Sequence, residues 1–127
     1  MNQFKNGVVV YNTTPHPVTI QDVDGTLVSV QPEKLLNASP VEESVSDIFV
    51  TTKFVGTEDG EQLIREIQDE FKAQYGGTDA RLVIIGSIIA AQAYRGKVAG
   101  LCPVPGYERV APAEKRMRCD KFTLFPD

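Results

Sequence analysis

The sequence predicts an α+β fold, a small antiparallel or mixed β-sheet packed by two helices, in a single domain over residues 1–127. Three observations carry this reading. Short runs rich in β-branched residues, separated by Gly, Pro, Asn and Asp, fill the first third of the chain. Leu63, Ile64, Ile67, Phe71 and Tyr75 recur at three- and four-residue spacing, which makes one helix face apolar. The apolar run Leu82-Val83-Ile84-Ile85, of the type buried on both faces of a sheet, leads through Gly86-Ser87 into a second apolar segment.

Taken in order, Gly7-Val8-Val9-Val10-Tyr11 is the first strand. Asn12-Thr13-Thr14-Pro15-His16-Pro17 follows. Its two prolines forbid both helix and central strand, so a rigid turn presenting hydroxyls and one imidazole is expected. Val18-Thr19-Ile20 and Leu27-Val28-Ser29-Val30 flank Asp22-Val23-Asp24-Gly25, where Asp-Gly suits a tight hairpin. Residues 31–47 mix Pro, Asn, Ser and acids and read as a loop crossing the surface, while residues 48–55 alternate well enough for a strand. The clearest helix runs over 59–75, with Asp59 as cap, Gln62 completing a capping box, and Gly76-Gly77 as the stop. Beyond the 82–85 strand, Ser87 precedes a short helix over 88–94 that Gly96 closes. Lys97 to Cys102 reads as a strand, and Pro103-Val104-Pro105-Gly106 as a turn with Pro105-Gly106 in the central positions of type II. Residues 107–120 are expected to be irregular and charged, and residues 121–125 to form a terminal strand.

The chain's 127 residues suffice for one core, since a chain of this size buries roughly two thirds of the surface its unfolded form exposes. A hydrophobic content of 42% with 24% charged residues argues against disorder. No run approaches the ~20 apolar residues of a membrane span, and Met1 to Asn6 lack the pattern of a signal peptide. Cys102 and Cys119, 17 positions apart, fit neither a zinc spacing nor a disulfide scaffold, so reduced thiols in a cytosol are expected. A single histidine, His16, excludes sites built from two or three imidazoles. No phosphate-binding glycine motif and no internal repeat is present, and neither a metal nor a cofactor is expected.

Charge is unevenly divided. Residues 1–80 hold five basic and thirteen acidic side chains, whereas residues 81–127 hold eight basic and four acidic ones. Five of those eight cations fall between Arg109 and Lys121: Arg109, Lys115, Arg116, Arg118 and Lys121. Guanidinium forks grip phosphate or carboxylate through paired hydrogen bonds, and lysine adds a mobile point charge. Tyr107 and Met117 offer flat or polarizable contact to a ring. The functional reading is a pocket for a small anion. The alternative is a solvated loop whose cations pair with Glu108, Glu114, Asp120 and the acidic helix.

Two further groups are candidate ligand contacts. Ser87 heads a helix whose amino terminus favours anions, although an ordinary N-cap is the favoured explanation. Thr13 and His16 lie in the proline-bounded turn. A Ser87–His16–acid triad can be written down, but the strained GxSxG turn that exposes such a serine is missing. The expected ligand-binding set is therefore Arg109, Lys115, Arg116, Arg118, Lys121, Tyr107, Ser87, Thr13 and His16, with no catalytic residue assigned. Exposed edge strands in so small a chain point to a homo-oligomer. The acidic first half and the absence of Trp weigh against a nucleic-acid polymer as partner.

Three strings, Tyr11-Asn12-Thr13-Thr14-Pro15-His16-Pro17-Val18, Gly86-Ser87-Ile88-Ile89-Ala90-Ala91-Gln92-Ala93-Tyr94 and Pro103-Val104-Pro105-Gly106-Tyr107-Glu108-Arg109-Val110, carry a resemblance. Together they resemble a family of small phage and prophage proteins with an N-x-T-P-H turn after the first strand and an S-x-x-x-A-Q-A helix later. The resemblance implies an accessory protein in the cytoplasm of an infected or lysogenic bacterium. In size, charge and context the chain is also similar to the phage sponges that sequester nucleotide immune signals, such as anti-Thoeris and anti-CBASS proteins. That similarity implies a nucleotide-like ligand, bound without turnover. Other readings are a small hydrolase or phosphodiesterase acting on such a ligand, and an interaction module that inhibits a host factor.

Overall fold

The computed structural model describes all 127 residues and is α+β, dominated by its sheets. The strands are β1 (Asn2–Gln3), β2 (Val8–Asn12), β3 (Val18–Gln21), β4 (Leu27–Val30), β5 (Ser39–Ser46), β6 (Phe49–Val55), β7 (Arg81–Ile85), β8 (Val98–Pro103) and β9 (Met117–Leu124). The helices are α1 (Glu58–Tyr75) and α2 (Ile88–Ala93). Seven strands form one mixed sheet in the order β1-β2-β7-β8-β9-β3-β4, and β5 and β6 form a hairpin of their own.

The sheet is larger than the sequence suggested. Its strands β2, β7 and β8 run parallel, and the crossover from β7 to β8 is α2. Beyond β8 the chain returns antiparallel as β9, which lies parallel to β3 over Ile20↔Met117 and Gln21↔Arg118. The sheet curls until β4 approaches β2, where the Asn12 side-chain amide donates to the Val30 carbonyl at 3.0 Å. One face is therefore interior. Val8, Val10, Ile20, Val30, Ile85 and Cys119 pack there with Phe4. On the other face Tyr11 and Ile84 meet Ile64 and Ile67 of α1, Ala90 of α2, and Tyr94 just beyond α2. Alternate residues of β2 and β7 thus serve two cores, so Val8–Tyr11 and Leu82–Ile85 are continuously apolar. The two helices cover only the outer face.

Three local expectations are corrected. Residues 39–46, read as loop, form β5, because pairing with β6 supplies the order that an exposed, polar segment lacks by itself. The cap of α1 is Thr57 and not Asp59: the Thr57 hydroxyl accepts from the Gly60 N–H at 2.9 Å. Asp59 instead sits with Glu58 and Glu61 in the first turn, where acids favour the helix dipole. Finally, β9 begins at Met117, so residues 117–120 are strand.

Tyr94 clasps the two helices to the hairpin root. Its ring is 1% exposed. The hydroxyl donates to the Asn37 carbonyl at 2.6 Å and accepts from the Thr57 N–H at 3.0 Å. Space for the ring is made by glycine, since a Cβ on Gly60 would lie 1.8 Å from the Tyr94 hydroxyl oxygen.

Tyr11 is buried on the helix side of the sheet, and burial, with Glu33, Glu70 and Glu66 nearby, pushes its phenol up to about 12. An unfolded tyrosine ionises near pH 10. The folded state holds this proton more tightly, so its contribution to stability is full below pH 10 and is lost as pH rises toward 12. Chemical denaturation at pH 9 and pH 11.5 should show that loss, and Tyr11→Phe should reduce it. An identical pH slope in the variant would refute the assignment.

Candidate functional site

The segment after β8 is an ordered loop. Its neck is closed by the Val104 N–H donating to the Arg116 carbonyl at 3.0 Å. Inside the neck, Pro105-Gly106 turns as expected, with Gly106 at φ +93. The Gly106 N–H donates to the Glu108 carboxylate at 2.9 Å, and a 3-10 turn follows over Pro112–Glu114. The loop lies over the outward side of β3 and β4, and between them is a cleft of about 420 Å³. Tyr107, Glu114, Lys115 and Arg116 line it from the loop, Thr19 and Leu27 from the strands.

Arg116 organises this cleft. Its guanidinium carbon stands 4.2 Å from the centre of the Tyr107 ring, within cation–π range. One terminal nitrogen, Nη1, donates to the Gln21 side-chain oxygen at 3.3 Å, and Nε is buried with no partner. Four ion pairs exist in the protein: the amino terminus with Glu33, Lys5 with Asp24, Lys97 with Glu61, and Arg118 with Asp120. Neither Arg116 nor Lys115 belongs to one. Glu114 is the single carboxylate among the lining residues, so the cleft keeps a positive balance.

The nine expected ligand residues are not gathered around one cavity. Tyr107, Lys115 and Arg116 share the cleft just described. Arg118 is turned away into a forked pair with Asp120, Nε to Oδ1 at 2.7 Å and Nη2 to Oδ2 at 3.1 Å. That pair raises the Arg118 pKa and holds the Asp120 carboxyl below its ordinary range, which cancels the charge locally. Lys121 borders a different opening of about 450 Å³, with Arg81 and Lys97 at its rim and Leu82 and Phe122 among its apolar lining. That opening exists where β7 and β8 separate, for they pair only at Ile84↔Val98 and Ile85↔Ala99. Arg109 is exposed in the loop and lines neither cleft.

The remaining three residues are accounted for by the fold. The Thr13 hydroxyl is buried and donates to the Ile85 carbonyl at 2.7 Å, bridging the ends of β2 and β7. The Ser87 hydroxyl accepts from the Ala90 N–H at 3.1 Å as a plain N-cap. His16 has an exposed side chain, and its carbonyl accepts from Asn12 at 2.9 Å. No hydrogen bond joins Ser87 to His16, so the triad has no geometry behind it. No protein-family model, curated protein or solved structure matches the chain.

No group of three or more His, Cys, Asp or Glu side chains is placed to hold a metal ion. No helix is long and apolar enough to cross a membrane. Both thiols are unbridged, and burial, the largest cause, pushes the Cys119 pKa up. What sequence reasoning missed was the strand half of the cleft. Thr19, Gln21 and Leu27 come beside Arg116 because β3 pairs with β9, 97 positions apart at Ile20↔Met117, a pairing with no local signature.

Proposed function

We propose that this chain is a phage or prophage accessory protein that binds a small anionic, nucleotide-like ligand in the Tyr107–Arg116 cleft and sequesters it without chemistry. The observation that carries the reading is Arg116. Its guanidinium is held in place by a ring on one side and Gln21 on another, yet it has no carboxylate partner. A guanidinium oriented in advance loses little freedom when an anion arrives. Lys115 adds a second unpaired cation, and the Leu27 and Tyr107 side chains supply apolar contact for a ring. The family resemblance supports the phage setting, and a sequestered immune signal is the ligand class that setting favours.

The test is mass analysis of small molecules released by denaturing the purified protein, followed by calorimetric titration of cyclic nucleotides and ADP-ribose derivatives. Charge-assisted hydrogen bonds contribute about 1.5–3 kcal/mol each, so Arg116→Ala should weaken binding roughly 10- to 150-fold. Arg118→Ala should change it little, because Asp120 already holds that guanidinium. Recovery of intact ligand on heating supports sequestration, and turnover of the ligand would point to a hydrolase. An absence of any bound anion, or equal affinity in the Arg116→Ala and Lys115→Ala variants, would overturn the proposal.

A further inference from the structure

The β5–β6 hairpin is the part of the molecule that the ligand reading leaves unexplained. Its two strands form a sheet alone, and residues 40–53 are all exposed. Several of them are large and apolar: Ile48 is 84% exposed, Val45 67%, Phe49 63% and Val50 51%. A lone two-stranded hairpin is marginally stable in water. This one is anchored at its root, where the end of β6 lies against α2 and the Tyr94 hydroxyl bonds Asn37 ahead of β5 and Thr57 behind β6. The outward backbone groups of both strands have no hydrogen-bond partner within the chain. Contiguous apolar exposure of this kind, beside an unpaired strand edge, marks an association surface.

The charge pattern distinguishes the two edges. Strand β5 carries Pro40, which has no N–H to donate, and the adjacent acids Glu42 and Glu43. Two copies joined through β5 would bring four carboxylates together. Strand β6, Phe49-Val50-Thr51-Thr52-Lys53-Phe54-Val55, has no proline, no acid and one cation.

We propose that a second copy of this chain pairs with β6 about a two-fold axis, giving a four-stranded antiparallel sheet with β6 strands at its centre. Directly opposed residues share a face, so a two-fold axis between antiparallel strands must pass through one residue facing its own copy. With Lys53 on the axis, two ammonium groups would meet. With Thr51 there, Lys53 would face Phe49 of the partner subunit. With Thr52 on the axis, Phe49 faces Val55 of the partner subunit, Val50 faces Phe54 of the partner subunit, and Lys53 faces Thr51 of the partner subunit. Apolar residues then meet apolar ones, and the cations stay apart. The acidic β5 strands become the outer edges, where Glu42 and Glu43 discourage further addition, so the assembly closes as a dimer.

This interface is independent of the ligand cleft, and its test needs no ligand. Sedimentation equilibrium should give twice the chain mass of 13.9 kDa. The double substitution Phe49→Lys/Val50→Lys alters four of the opposed pairs and should weaken self-association by roughly tenfold or more, with an unchanged circular dichroism spectrum. As a second measurement, Thr52→Cys should give a covalent dimer on mild oxidation, while Glu43→Cys on the outer edge and the unsubstituted chain should not. A monomer at every concentration would overturn the proposal. So would a dimer indifferent to the lysine pair, or cross-linking through Glu43→Cys in place of Thr52→Cys.

Discussion

Asn12→Leu is expected to destabilise the fold by roughly 3–5 kcal/mol, a large share of the 5–15 kcal/mol typical of a domain. Asn12 is fully buried and uses its whole side chain. The amide nitrogen donates to the His16 carbonyl at 2.9 Å and to the Val30 carbonyl at 3.0 Å. The amide oxygen accepts from the Thr14 N–H at 2.8 Å and the Thr14 hydroxyl at 2.6 Å. Leucine has similar bulk and none of these bonds, so the buried Val30 carbonyl and the half-buried Thr14 N–H lose this partner, at about 1–3 kcal/mol each. Urea denaturation followed by circular dichroism measures this. Pro15→Ala, at an exposed position in the same turn, should change stability far less. A loss for Asn12→Leu no larger than for Pro15→Ala would contradict the account. The N-x-T-P-H turn is, on this view, a structural closure in which Asn12 ties the end of β2 to the end of β4 and Thr13 ties it to β7.

Gly60→Ala should be of comparable size and opposite in sign to helix propensity. In an exposed helix interior, alanine is favoured over glycine by about 1 kcal/mol. Here the added methyl would stand 1.8 Å from the Tyr94 hydroxyl oxygen and 2.5 Å from the ring carbon bearing it. Relief requires moving a buried ring whose hydroxyl bonds two segments, so a loss of roughly 3 kcal/mol or more is expected, from overpacking and broken hydrogen bonds together. The clash is with one side chain, which makes the effect non-additive. In a Tyr94→Ala background, itself destabilised, the further cost of Gly60→Ala should largely vanish. Equal costs in the two backgrounds would show that the methyl clashes elsewhere. Thermal unfolding of the four-member cycle decides the matter.

Both residues show how unevenly structure can be read from sequence. Gly60 falls inside the helix expected over 59–75, where no local feature calls for a glycine. Only the position of α2, which brings Tyr94 over it, gives the glycine a reason. Locally, Asn12 opens a proline-bounded turn of polar groups, but its carbonyl partners belong to residues 4 and 18 positions away. The ligand residues divide in the same way. Arg116 and Arg118 are two positions apart, and nothing local distinguishes them. Arg118 faces an acid on its own strand, whereas Arg116 lies between Tyr107 and Gln21, on a loop and a neighbouring strand.

Local pattern determined the existence and kind of most elements: the valine run of β2, the Asp22–Gly25 hairpin, the apolar stripe and glycine stop of α1, the apolar β7, and the Ser87 cap of α2. Each rests on interactions within a few residues, such as side-chain period, turn conformation and capping, and those are present in any stretch of chain. Tertiary structure alone decided which strands are neighbours, how far the sheet curls, and that residues 39–46 become a strand. It also decided which cations are left without an acid. Those outcomes depend on pairings between residues as far apart as Asn6 and Cys119, whose amide-to-carbonyl bond of 3.0 Å joins the two ends of the chain. The energy of such a pairing is gained only once the whole sheet has formed, so no local stretch of sequence contains it.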